Sequence, residues 1–162
     1  MTRLLYRLFG RLPALIRRRI VRFVAPTWTA GVVAVIERND GRWLMVSPVY
    51  RPGWSLPGGL LDRGEDPAAA LVRELREELA LPIRVVGDPW IVYDSTMQRI
   101  DAVFRAEVVG DIDLDALAAR TPELDGVGWF DPLDPPETED EADDAIVLAA
   151  QVGAGGSPVL WR

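Results

Sequence analysis

A chain of 162 residues that is 49% hydrophobic and 27% charged has the size and balance of one ordinary globular domain, which excludes wholesale disorder. It holds no cysteine and no histidine, so disulfide scaffolds, thiolate zinc sites, cysteine nucleophiles, Ser-His-Asp triads and imidazole bases are excluded, and acid–base work falls to carboxylates, tyrosine or arginine-assisted water. The net charge of −7 is unevenly placed: all 18 basic residues are arginine, and Arg3, Arg7, Arg11, Arg17, Arg18, Arg19 and Arg22 lie in the first 25 residues without an acid. The remaining 11 arginines face 25 acids, a net −14 that disfavours generic nucleic-acid binding yet allows phosphate binding through metal ions.

Residues 3–24 read as helical, because Leu4, Leu5, Leu8, Leu12, Leu15, Ile16, Ile20 and Phe23 recur at near-helical spacing with arginines between. Gly10 and Pro13 interrupt the pattern, leaving one helix or two shorter ones open, and Pro26 stops it. No stretch approaches the roughly 18–20 apolar residues of a membrane span or the roughly 7–15 of a secretory core, so a cytoplasmic setting is expected. Residues 28–37 form a strand whose run of Val32, Val33, Val35 and Ile36 implies burial on both faces. Asn39-Asp40-Gly41 signals a turn, and residues 42–49 return as the hairpin partner. Residues 50–66, with five glycines or prolines before Gly64, read as a long loop of the kind that carries function.

A helix follows, with Asp66 as N-cap, Pro67 at its first position and Pro82 beyond its end. Residues 83–93 and 99–109 are two strands, the second alternating as a half-buried antiparallel strand does. A short helix at 114–120, a short strand at 126–130 and a helix at 139–151 with an acidic first turn complete the pattern, before a glycine-rich tail that is loose at first. Strands and helices mix without regular βαβ alternation, which points to an α+β fold, a mixed sheet flanked by helices, with no internal repeat.

The chemistry concentrates in residues 58–81. Glu74, Glu77 and Glu78 stand at i, i+3 and i+4 and project from one helical face beside an apolar stripe of Leu71, Leu75 and Leu79. Three like charges so placed repel, and a divalent cation of the Mg²⁺ or Mn²⁺ type, which prefers oxygen ligands, offsets that. Arg73 lies four residues before Glu77 and helps to hold it; Arg76 faces further round.

This stretch resembles the Nudix box, Gly-x5-Glu-x7-Arg-Glu-U-x-Glu-Glu-x-Gly-U with U a bulky aliphatic: Gly59, Glu65, Arg73, Glu74, Leu75, Glu77, Glu78 and Leu81 match, and only Ala80 departs, standing where the family has glycine. Residues 54–59, residues 121–123 and Trp129-Phe130 resemble the family's flanks, so the resemblance covers roughly residues 28–150. Glycine at position 80 would suit a left-handed helix end; alanine either accepts that conformation at about 1 kcal/mol or the helix ends differently, with Pro82 enforcing the stop.

The resemblance implies the Nudix fold, a mixed sheet sandwiched between helices, with residues 1–26 as a basic helical extension, 27–152 as the hydrolase domain and 153–162 as a C-terminal tail. It implies Mg²⁺- or Mn²⁺-dependent hydrolysis of a nucleoside diphosphate linked to another moiety (nucleotide sugar, dinucleotide or (d)NTP), with a catalytically silent nucleotide-binding module as the alternative. Carried over by position, Glu74, Glu77 and Glu78 match the metal ligands, and the Gly58 carbonyl matches a further ligand. Glu65 matches a ligand or a group behind the ligands, and Arg73 the residue that orients the glutamates. With histidine absent, a carboxylate serves as base: Glu123 first, Glu74 second, Asp94 and Asp101 behind them. Arg51 is a candidate phosphate donor, and Tyr50, Trp54, Trp28 and Tyr93 are aromatic candidates for stacking on a base. The proline that marks several ADP-ribose hydrolases after the box and the coenzyme A signature upstream are both missing.

The basic leader has three readings: packing on the core or on a second subunit, contact with an anionic membrane surface, and nucleic-acid binding through Arg17-Arg18-Arg19. Packing or a homodimer contact leads, peripheral membrane contact comes second, and nucleic acid is not expected as a partner.

Overall fold

A computed structural model describes residues 2–138, 145 and 159–161. The leader breaks at Pro13 into two helices, α1 (Thr2–Arg11) and α2 (Ala14–Val24). The body follows as β1 (Thr29–Val35), β2 (Trp43–Pro48), β3 (Gly58–Leu60), α3 (Pro67–Leu79), β4 (Ile83–Asp94), β5 (Arg99–Val108), β6 (Leu124–Phe130) and β7 (Val159–Trp161). Five strands form a mixed sheet in the order β3-β1-β5-β4-β7: β1 runs antiparallel to β3 and parallel to β5, while β4 runs antiparallel to β5 and parallel to β7. β2 and β6 make a separate antiparallel pair.

Side-chain period decides what lies on each face of the sheet. Val32, Ala34 and Ile36 of the first strand segment and Phe104 and Ala106 of β5 point to one side, where Ala70, Leu71, Leu75 and Leu79 of α3 cover them. The opposite side buries Val35, Val92 and Val103 against Leu56 and the helical Ala145. The α+β sandwich is therefore as the resemblance implies.

Four local expectations change, and the end of the tail gains a strand. The turn at residues 39–41 closes through Gly41 N–H to Arg38 O (2.8 Å) and Leu44 N–H to Ile36 O (3.0 Å), but β2 then leaves β1 and pairs with β6, because β1 is already flanked by β3 and β5. The long loop contains β3, a three-residue strand of two glycines and a leucine with no β-forming run to mark it. β5 is covered on both faces from Asp101 to Phe104 and alternates only beyond, since it lies inside the sheet and pairs on both edges. The helix expected at 114–120 is a single 3-10 turn, Leu114–Ala116. Val159–Trp161 of the tail adds an edge strand. The helix expected at 139–151 lies outside the described residues except for Ala145. Among the described residues, no helix is long and apolar enough to cross a membrane.

Candidate active site

Helix α3 is set by its ends. The Asp66 side chain accepts from Ala69 N–H (3.1 Å) with Pro67 next to it, and the helix closes at Ala80 in the left-handed region (φ 52°, ψ 31°), where the Ala80 N–H reaches Arg76 O (3.0 Å). Alanine thus takes the conformation that glycine would hold more cheaply. Leu71, Leu75 and Leu79 are buried, which leaves Glu74 and Glu78 beside β3 and Glu77 in solvent.

The three glutamates meet different surroundings. Glu74 lies against β3, so close to Gly59 that any Cβ there would overlap its carboxylate, and Arg73 Nη1 donates to its Oε1 (3.0 Å). A Cβ on Gly58 would likewise overlap the Val32 carbonyl, so both glycines are needed where β3 meets β1 and α3. Glu77 is open to solvent, with Arg73 Nη1 3.5 Å from its Oε2. Glu78 is half-buried, and its shielded Oε2 meets no donor among the described residues. Burial first, and then the charges of Glu74, Glu123 and Glu77, together push the Glu78 carboxyl up to about 7.

Arg73 gathers the acids behind this edge. Its Nε and Nη2 donate to the two oxygens of Glu65 at 2.9 Å each, and Nη2 also reaches Leu60 O (3.3 Å). This pairing, with the Asp62 N–H, holds the Glu65 carboxyl down to about 2. Glu65 therefore faces Arg73.

Glu78, Gly58 and Gly59 form one wall of a cleft of about 340 Å³ beside the sheet. Tyr50, Arg51 and Glu123 also line it, and Val33, Val92, Arg99 and Asp101 form its floor. Two backbone bonds bring Glu123 there: Arg120 N–H to Glu78 O (2.6 Å) ties its loop to α3, and Val49 N–H to Glu123 O (2.9 Å) ties it to the turn bearing Tyr50 and Arg51. The Arg51 guanidinium sits 5.4 Å from the centre of the Tyr50 ring. Among the described residues no three acidic side chains already form a compact metal cage, as Arg73 engages Glu74 and Glu77 stands in solvent. The donor set nevertheless fits a hard divalent cation: it is all oxygen, crowded with negative charge, and includes a buried carboxylate oxygen without a donor.

The NUDIX domain matches this chain over residues 27–151. The chain belongs to the NUDIX family. A MutT-like protein from Streptomyces ambofaciens is 28% identical over 80% of this chain and 81% of its own length. An RNA pyrophosphohydrolase from Hydrogenovibrio crunogenus is 26% identical over 66% of this chain and 76% of its own. The crystal structure of an ADP-ribose pyrophosphatase from Streptococcus suis superposes with a TM-score of 0.65 at 21% identity, covering 84% of this chain and all of that one, which speaks for the fold. As a Nudix hydrolase, the chain is an enzyme of the class that acts on phosphorus-containing anhydrides.

Trp28, Trp54, Tyr93 and Asp94 sit elsewhere than the cleft lining, whereas Asp101 belongs to it. Trp54 packs edge-on against Phe130 (4.6 Å between centroids), where Gly126 and Gly128 of β6 leave room for it, so it belongs to the β2–β6 layer. Asp94 caps the β4–β5 turn by accepting from Thr96 N–H (2.8 Å) and Met97 N–H (2.9 Å). Asp101 is buried on the cleft floor and bound to Arg99 Nε (2.7 Å), a pair the sequence reading did not single out as one. An acid inside an apolar strand, two residues from an arginine on the same face, was the signal for it.

Proposed function

We propose that this Nudix hydrolase cleaves the pyrophosphate bond of a nucleoside diphosphate linked to another moiety, with Mg²⁺ or Mn²⁺ as cofactor. One observation carries the reading: Glu78, with its partnerless buried oxygen, shares a cleft with Glu123 and Arg51 and sits in the field of Glu74 and Glu77. Ionising Glu78 in that setting is costly, and a bound cation offsets the cost. Glu74, Glu77, Glu78 and the Gly58 carbonyl would hold the cation, which when bound neutralises pyrophosphate oxygens. Glu65 and Arg73 act behind them as positioning residues, consistent with their mutual pairing.

Arg51 presents its guanidinium to the substrate phosphates, braced by Tyr50, whose exposed ring offers a surface for a base. Glu123 takes the proton of the attacking water and so directs it at phosphorus. The relatives named RNA pyrophosphohydrolase and ADP-ribose pyrophosphatase support cleavage of a pyrophosphate and differ in what is attached to it.

The test is release of nucleotide or phosphate from a panel of nucleotide sugars, dinucleotides and (d)NTPs in Mg²⁺ or Mn²⁺. Turnover of at least one member, lowered about 100-fold or more by Glu123→Gln, is expected. No turnover of any member would count against hydrolysis; nucleotide binding that Glu77→Gln alters, without turnover, would favour the silent binding module instead.

A further inference from the structure

The leader carries an apolar surface that the described residues of its own chain leave exposed. In α2, Phe23 is 91% exposed and Val24 80%, and Leu15, Ile16, Ile20 and Val21 are exposed as well. At 3.6 residues per turn, Phe23, Ile16, Ile20 and Val24 share one sector of about 100°, with Arg19 at one border, Arg17 at the other and Arg18 opposite. In α1, Tyr6 and Leu8 are exposed too, with Arg7 and Arg11 four apart on the neighbouring face.

An occupant must therefore offer apolar cover and negative charge together. A second leader would bring seven arginines against seven, with no acid on either side. A nucleic acid answers the charge and leaves Phe23, Ile20 and Val24 in water. An anionic bilayer surface answers both: arginine stems lie along the acyl boundary while the guanidinium groups pair with lipid phosphates. At 1.5 Å per residue, the 11 residues of α2 reach about 16 Å, well short of a hydrocarbon core of about 30 Å, so the helix lies on the surface. The net −14 of the remaining chain is repelled by the same surface and turns the body outward. We propose that α1 and α2 dock this protein on anionic lipid bilayers, whatever substrate the cleft takes.

Co-sedimentation of the full chain with phosphatidylcholine vesicles, with and without roughly one third phosphatidylglycerol, tests this. Binding is expected only with phosphatidylglycerol. It should fall about tenfold or more on raising the salt, and by a similar factor in Arg17→Gln/Arg18→Gln/Arg19→Gln and in Ile20→Ser/Phe23→Ser. The melting midpoint of the body, read by tryptophan fluorescence, should not change in either variant. Equal binding to both vesicle types, or no binding to either, overturns the proposal. So does tighter binding to a short single-stranded RNA than to the vesicles, or salt-stable self-association that Ile20→Ser/Phe23→Ser abolishes.

Discussion

Single residues explain why the pattern around α3 has the spacing it has. Gly59 is glycine because the Glu74 carboxylate occupies the place of its Cβ. Gly59→Ala should push Glu74 off β3, lowering turnover about tenfold or more while leaving a folded protein by circular dichroism. Ala80 bears left-handed strain that glycine would not, so Ala80→Gly should raise unfolding stability by about 1 kcal/mol in urea titrations with turnover unchanged. Glu78 supplies a pH signature in metal-free protein. Its carboxyl is raised from 4.5 when unfolded to about 7 when folded, so its favourable contribution is complete below pH 4.5 and is lost as the pH climbs through about 7. Wild-type stability in chelator should decline across that window more than that of Glu78→Gln; parallel curves would refute this origin. The glutamates, Gly58 and Gly59 were legible because their spacing is local. The setting of Trp54 was not, because its partner Phe130 lies far along the chain on another strand.

Elements sort by the range of the interactions that form them. Helix α3 was readable almost to the residue, since its cap at Asp66, its Leu71-Leu75-Leu79 stripe and Pro82 beyond its end all act within a few turns. That stripe anchors the glutamate face: Leu75→Ala removes a fully buried side chain and should cost about 2–5 kcal/mol, measured in urea, with loss of turnover tracking loss of fold. Strand partners were less readable. A turn at residues 39–41 suggested a hairpin, yet β1 spends its edges on β3 and β5, one of them parallel, and neither choice is written in local sequence. β3 was hidden because the residues that let it approach α3 are the glycines that usually mark a loop. The leader, left open as one helix or two by Gly10 and Pro13, divides in two at Pro13.

At the scale of the molecule, charge is divided between a leader of arginines and an acidic body, and five of the body's acids, Glu65, Glu74, Glu77, Glu78 and Glu123, meet around one site. Arg73 holds Glu65, Glu74 and Glu77 together, while Glu78 and Glu123 line the cleft together with Arg51. The net effect is a cleft in which Glu78, Asp101 and Glu123 outnumber Arg51 and Arg99, with Glu74 and Glu77 beside it, suited to an anion when a cation accompanies it. The most direct measurement is calorimetric titration of the full chain with Mn²⁺ in the absence of nucleotide. The account predicts saturable uptake that Glu74→Gln/Glu77→Gln/Glu78→Gln abolishes in a protein that still melts cooperatively. No uptake by the wild type, or uptake that persists unchanged in the triple variant, would contradict it.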